Sequence, residues 1–171
     1  PFGKRPVGRS VPSPLPSFVG GGVLDAPHIV RSVTPVFLKK SNIEECITMT
    51  HVSTPNAPAA LGPYSQAVDT GSTVYCSGQL GLDPATGNLA DGVQAQTHQA
   101  LKNLQAVLNE AGLSLDNVVK TTVFVQDLAD FGTVNEIYGT YFHGGFPARS
   151  CVQIAALPKN ALVEIECIAV R

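Results

Sequence analysis

The sequence predicts an α+β domain: a mixed sheet of about six strands with two helices on one face. Three observations carry this reading. Strand and helix periodicities follow one another in the order β-β-β-α-β-α-β-β from residue 47 onward. Tight-turn signals join several neighbouring strands, so the sheet cannot be purely parallel. Two helices cover only one face of such a sheet, which leaves the other for a second copy of the protein.

The elements follow in order. "ITMTHVST" (residues 47–54) alternates as a strand does. Gln66–Thr70 and Thr73–Ser77 flank Gly71-Ser72, the pattern of a hairpin. "LGLDPATGNLADG" (80–92) is a loop by its Pro and Gly content. Val93, Thr97, Ala100, Leu101, Leu104, Val107, Leu108 and Ala111 fall at helical spacing, with Asp91 as start cap and Gly112 as stop. "NVVKTTVFVQD" (117–127) is a β-branched strand. "DFGTVNEIYGTYFHG" (130–144) is a second amphipathic helix, with Phe131, Val134, Ile137, Tyr138 and Tyr141 on one side. Ala148–Ala156 and Leu162–Val170 form the last two strands, joined around Leu157–Asn160 as a terminal hairpin.

Composition narrows the function classes. The longest apolar runs fall far short of the roughly 18 residues that a membrane-spanning helix requires. Only 14% of residues are charged, low for a monomer and in keeping with surface hidden in an oligomer. Residues 1–50 hold six basic residues against three acidic ones, for a net +3; the remainder holds five against ten, for a net −5. An acidic body argues against binding nucleic acid by phosphate neutralisation. Cys46, Cys76, Cys151 and Cys167 make no C-x-x-C pair, and no His is spaced to complete a zinc site, so no metal is expected. Three of the four lie in apolar runs and read as small buried hydrophobes in a reducing compartment.

Residues 1–50 are rich in Pro, Gly and Ser and carry no acid before Asp25. They read as a leader outside the fold, with the domain over 51–171. A transit segment fits this composition, plastid ahead of mitochondrion; an unstructured tail is the other reading.

The stretch "FPARSCVQIAALPKNALVEIECIAVR" sets Arg149, Glu164 and Glu166 among apolar residues. Buried charge is costly unless paired or used. In a terminal hairpin centred on Pro158-Lys159, Ser150, Val152 and Ile154 share the core face with Val163, Ile165 and Cys167. Arg149, Cys151 and Gln153 then share the opposite face with Glu164, Glu166 and Ile168. Two readings stand: an interface salt bridge, or an anionic site in which an Arg fork holds a carboxylate and a Glu moves protons.

"NAPAALGPYSQAV", "YCSGQLGLDPATG", "VVKTTVFVQDLADF", "FPARSCVQIAALP" and "VEIECIAV" together resemble the RidA family, also called YjgF or reactive-intermediate deaminases. The resemblance runs from about Ser53 to Arg171, and the leader looks like the transit region of a plant member. It implies a chorismate-mutase-like fold, assembled as a barrel-like homotrimer with ligand clefts between subunits. It implies hydrolysis of enamines and imines such as 2-aminoacrylate to 2-oxo acids and ammonia. No cofactor, metal, nucleic acid or membrane is implied as a partner.

The resemblance also assigns roles. Arg149 matches the arginine that grips the substrate carboxylate, and Glu164 the glutamate that positions water. Cys151 matches a residue whose main-chain N–H holds ligand. Tyr64, Asn135, Ser77 and Gly78 match pocket positions. Each has a plainer reading as well: Tyr64 as a core aromatic, Asn135 as a helix-surface residue, Ser77-Gly78 as turn punctuation. His98 is read as solvated or satisfied by a neighbour, and Glu166 as structural. Two rival functions are a non-catalytic 2-oxo-acid sensor or chaperone, which needs Arg149 but not Glu164, and an endoribonuclease. A chorismate-mutase activity is suggested by fold alone, which does not carry function.

Overall fold

The computed structural model describes residues 49–171, and the expected leader lies outside them except for its last two positions. The strands are β1 (Thr50–Val52), β2 (Ala67–Asp69), β3 (Thr73–Leu80), β4 (Val118–Val125), β5 (Ala148–Gln153) and β6 (Val163–Val170). The helices are α1 (Gly92–Glu110) and α2 (Phe131–Gly139). The element order is the predicted one, and the six strands form one mixed sheet in the order β1-β2-β3-β6-β4-β5.

Local chemistry explains the boundaries. At the β2–β3 turn, Gly71 takes φ +91°, which a side chain rarely tolerates, and Asp69 accepts the Gly71 N–H at 2.8 Å. Gly112, at φ +73°, ends α1: its N–H reaches the Asn109 carbonyl, and the Leu113 N–H reaches Leu108, a Schellman closure. Asp91 is the start cap by position, but its side chain makes no capping bond. α2 is shorter than its apolar pattern suggests. It ends at Gly139, leaving Tyr141 and Phe142 to pack as loop residues.

Both helices lie on one face of the sheet. Leu101, Leu104, Val107 and Leu108 of α1 are fully buried against Val74, Val123, Ile165, Cys167 and Ala169 of the strands. At roughly 1.5–3 kcal/mol for each large apolar side chain removed from water, this layer is the main stabiliser of the fold. Cys76 and Cys167 face one another across β3 and β6, buried and free; Cys151 is a half-buried free thiol, and Cys46 lies outside the described residues. The hydrogen bond with the neighbouring Cys76 thiol, and then burial, push Cys167 upward, so it remains protonated. Among the described residues no helix is long and apolar enough to cross a membrane.

The terminal hairpin is corrected. β5 and β6 do not pair: β4 runs between them, parallel to β5 and antiparallel to β6. β4, α2 and β5 form a βαβ crossover, which sets β5 at the sheet edge, and the chain then passes β4 to reach β6. The change of partner inverts the predicted faces of β5, while Val163, Ile165 and Cys167 of β6 are buried as expected. Thr121 of β4 stands beside both Arg149 and Cys167, on the helix face. Thr122 stands beside both Ser150 and Glu166, and Phe124 beside both Val152 and Glu164, on the open face. Arg149 and the two glutamates therefore lie on opposite faces, and Val152, expected in the core, is 41% exposed.

Candidate functional site: two half-sites on opposite faces

The first half-site is on the open face. β6 turns Glu164 and Glu166 outward from a strand whose alternate residues Val163, Ile165 and Cys167 are buried. Both carboxylates line a cavity of about 450 Å³ with Tyr64, Ser77 and Gly78. Glu164 is half-buried. Loss of solvent, and secondarily the Glu166 charge, hold its carboxyl above the ordinary carboxylate range. Among the described residues the one ion pair joins Arg171 to Asp69, and neither glutamate has a cationic partner among them.

Gly78 is glycine for a reason of space. The β3–β6 register shifts between Cys76 and Gln79, and the Glu164 side chain lies on the Gly78 backbone. A Cβ there would meet Glu164 Cδ at 2.7 Å. Ser77 is held in place at both ends: its N–H donates to the Gln66 carbonyl at 3.0 Å and its hydroxyl to the Ser65 carbonyl at 2.7 Å. The Tyr64 hydroxyl accepts the Leu61 N–H at 3.1 Å, and its ring is exposed at the cavity rim.

The second half-site is at the edge strand, beneath α2. The Arg149 guanidinium donates to Asn135 Oδ1 at 2.7 Å. Its Cζ lies 4.7 Å from the Tyr138 ring centroid and 5.6 Å from that of Phe131. Tyr138 is fixed in turn by a 2.7 Å hydrogen bond between its hydroxyl and Thr121. Burial pushes the Tyr138 phenol up, against lowering by Thr121 and Arg149, so the ring under the guanidinium stays neutral. Asn135, Tyr138 and Arg149 surround, with Gly139, Phe146 and Pro147, a cavity of about 330 Å³. One edge of the Arg149 fork is taken by Asn135 and two aromatic faces hold its plane, an arrangement suited to receiving a carboxylate. Cys151, two residues along β5, packs against the core; burial pushes its thiol up, opposed by Arg149, so it is no ready nucleophile.

Of the predicted site residues, Tyr64, Ser77, Gly78 and Glu164 come together, as do Arg149 and Asn135; the two groups do not meet within one chain. Glu166, read as structural, lines the Glu164 cavity. Phe131 and Tyr138, expected on the apolar side of the second helix, form the bed of Arg149. Their spacing to Asn135, four residues before and three after, puts all three on one helix face and was the available signal. His98 meets its neighbour Tyr141, Nδ1 to hydroxyl at 2.9 Å, away from both half-sites. Among the described residues, no three His, Cys, Asp or Glu side chains converge as metal ligands.

Comparison with known proteins bears on these residues. The family model described as Endoribonuclease L-PSP matches residues 54–171. A 2-iminobutanoate/2-iminopropanoate deaminase of Mus musculus is 59% identical over 121 residues, which cover 70% of this chain and 90% of the mouse protein. The chloroplastic Reactive Intermediate Deaminase A of Arabidopsis thaliana is 51% identical over 141 residues, 82% of this chain and 75% of that protein. The crystal structure of E. coli TdcF with bound serine matches with a TM-score of 0.70 at 46% identity, covering 71% of this chain and 98% of that one. The match takes in β2 through β6, both helices and every residue of the two half-sites, and the chain belongs to the Endoribonuclease L-PSP family, the RidA and YjgF family that its motifs resemble.

Proposed function

We propose that the protein is a 2-iminobutanoate/2-iminopropanoate deaminase, a hydrolase of C=N bonds, whose working site is assembled between subunits of a homotrimer. The observation that carries this is the division of the site. A carboxylate-binding half (Arg149, Asn135) and a proton-moving half (Glu164, with Tyr64, Ser77 and Gly78) lie on opposite faces, each beside an open cavity. Two copies, one offering each half, make a complete cleft. The names of the mouse and Arabidopsis relatives supply the substrate class, and the serine bound to TdcF is a small amino acid of suitable size.

The chemistry follows from the groups. Arg149 binds the substrate carboxylate through its free edge, with Cys151 contributing its main-chain N–H. An enamine such as 2-aminoacrylate first gains a proton at its β-carbon and becomes an iminium. Water then adds to the iminium carbon while Glu164 takes its proton. Glu164 hands that proton to the carbinolamine nitrogen, the C–N bond breaks as the hydroxyl loses its own proton to the carboxylate, and a 2-oxo acid and ammonia leave, the ammonia taking up a proton to become ammonium. A carboxyl held above its usual range suits both taking and returning a proton. Orientation by Arg149 lowers the entropic part of the barrier. No step calls for a cofactor. A plastid location is proposed with the function; the chloroplastic Arabidopsis relative supports it.

The test is a coupled assay on the full chain. A dehydratase generates 2-aminoacrylate from serine, and pyruvate release is timed. Acceleration by wild type, lost in folded Arg149→Ala and Glu164→Ala, is the expected result. Acceleration that survives Glu164→Ala takes Glu164 out of the chemistry. No acceleration by wild type rejects the deaminase reading for this imine.

A further inference from the structure

The segment from Thr54 to Tyr64 has no regular structure, yet Pro58, Ala59, Leu61 and Tyr64 form one wall of the Glu164 cavity. Backbone polar groups in a loop held against a sheet need partners. Here one side chain supplies them. Gln66 is 4% exposed. Its Oε1 accepts the Thr54 N–H at 2.6 Å, and its Nε2 donates toward the carbonyls of Thr54 (3.1 Å), Ala57 (3.3 Å) and Pro58 (2.8 Å).

A primary amide has two hydrogens and one carbonyl oxygen. Three carbonyls share the two hydrogens and the oxygen takes the Thr54 N–H, so the side chain has no donor left for a ligand. The Gln66 main chain is anchored in its turn, its carbonyl accepting from Ser77 N–H beside Gly78, where Glu164 rests. The other end of the loop is held by the Tyr64 hydroxyl on Leu61 N–H. The amide is thus a rigid spacer between the strand that seats Glu164 and the loop that faces it.

We propose that Gln66 is a positioning residue of the deaminase site, acting through the 54–64 loop to set the cavity wall opposite Glu164. This rests on the deaminase reading above. Gln66→Met keeps the length of the side chain and removes all four hydrogen bonds. Kinetics and amide hydrogen exchange of the full chain are measured together. The expected result is a KM raised about tenfold with kcat held within about threefold, because the wall binds substrate but moves no proton. Glu164→Gln gives the opposite split. Amides of residues 56–64 exchange faster in Gln66→Met, while those of α1 do not. In a double-mutant cycle the effects of Gln66→Met and Tyr64→Phe are non-additive, since both release the same loop.

An unchanged KM in a folded variant overturns the proposal, as does a fall confined to kcat. Should Gln66→Met fail to fold, Gln66→Glu, which keeps the acceptor for Thr54 and loses the donors, takes its place under the same criteria. No turnover by wild type defeats the deaminase reading separately. The exchange comparison then decides the clamp alone: faster exchange supports it, and unchanged exchange rejects it.

Discussion

At the scale of single residues, Glu164 in its proposed role as base is expected to set the pH behaviour. Burial and Glu166 raise its carboxyl above 4.5, the ordinary value. As a base it works ionised, so the rate climbs with pH through this raised value. Glu164→Gln is expected to lower kcat by ~10²–10⁴-fold. The same shift has a stability consequence of opposite sense. A carboxyl whose pKa is higher folded than unfolded binds protons more tightly in the fold, so stability falls as pH rises from the unfolded to the folded value. Glu164→Gln therefore melts higher than wild type at pH 7, and the gain disappears at a pH below 4.5; a melting series across that range checks it. Gly78→Ala is the steric counterpart. The new methyl enters the space of the Glu164 carboxylate, so turnover falls by about tenfold or more while the helical circular dichroism is retained.

At the scale of elements, what the sequence disclosed depended on how local the signal was. α1 was legible because its cap position, apolar stripe and glycine stop are all contained within about twenty residues. The β2–β3 hairpin was legible for the same reason. The partner of β5 was not. Two strands joined by nine residues look like a hairpin, and no local feature says that β4 will stand between them. With the partner wrong, the faces of β5 were wrong, because strand parity reverses with a shift of one position, while those of β6 were right. Arg149 and Glu164 were thus legible as candidate residues but misplaced relative to one another. The connection itself carries a measurable strain. Lys159 and Asn160 have φ values of 57° and 58°, and Lys159 Nζ ties the turn to the Gly87 carbonyl at 3.1 Å. Asn tolerates this left-handed region and a β-branched residue does not. Asn160→Val is expected to cost about 1–2 kcal/mol, read as a lower urea midpoint, whereas Asn160→Gly is neutral or stabilising.

At the scale of the whole molecule, the open face of the sheet joins composition to function. It carries Tyr75 (50% exposed), Val152 (41%) and Val170 (38%) beside Lys120, Glu164 and Glu166. Apolar area with charges of both signs that form no ion pair among the described residues suits contact between copies, in agreement with the low overall charge. If that contact completes the site, Arg149 and Glu164 of one cleft belong to different chains, and two inactive variants should repair one another. In a mixture of Arg149→Ala and Glu164→Ala, a cleft is intact when the first chain supplies its glutamate face and the second its arginine face. After unfolding and refolding together in equal amounts, random assembly makes about one cleft in four intact, so about a quarter of wild-type activity returns. Refolded separately and then mixed without exchange, the same variants stay inactive. If instead both residues served a substrate within one chain, every chain in the mixture would lack one of them, and co-refolding would restore nothing.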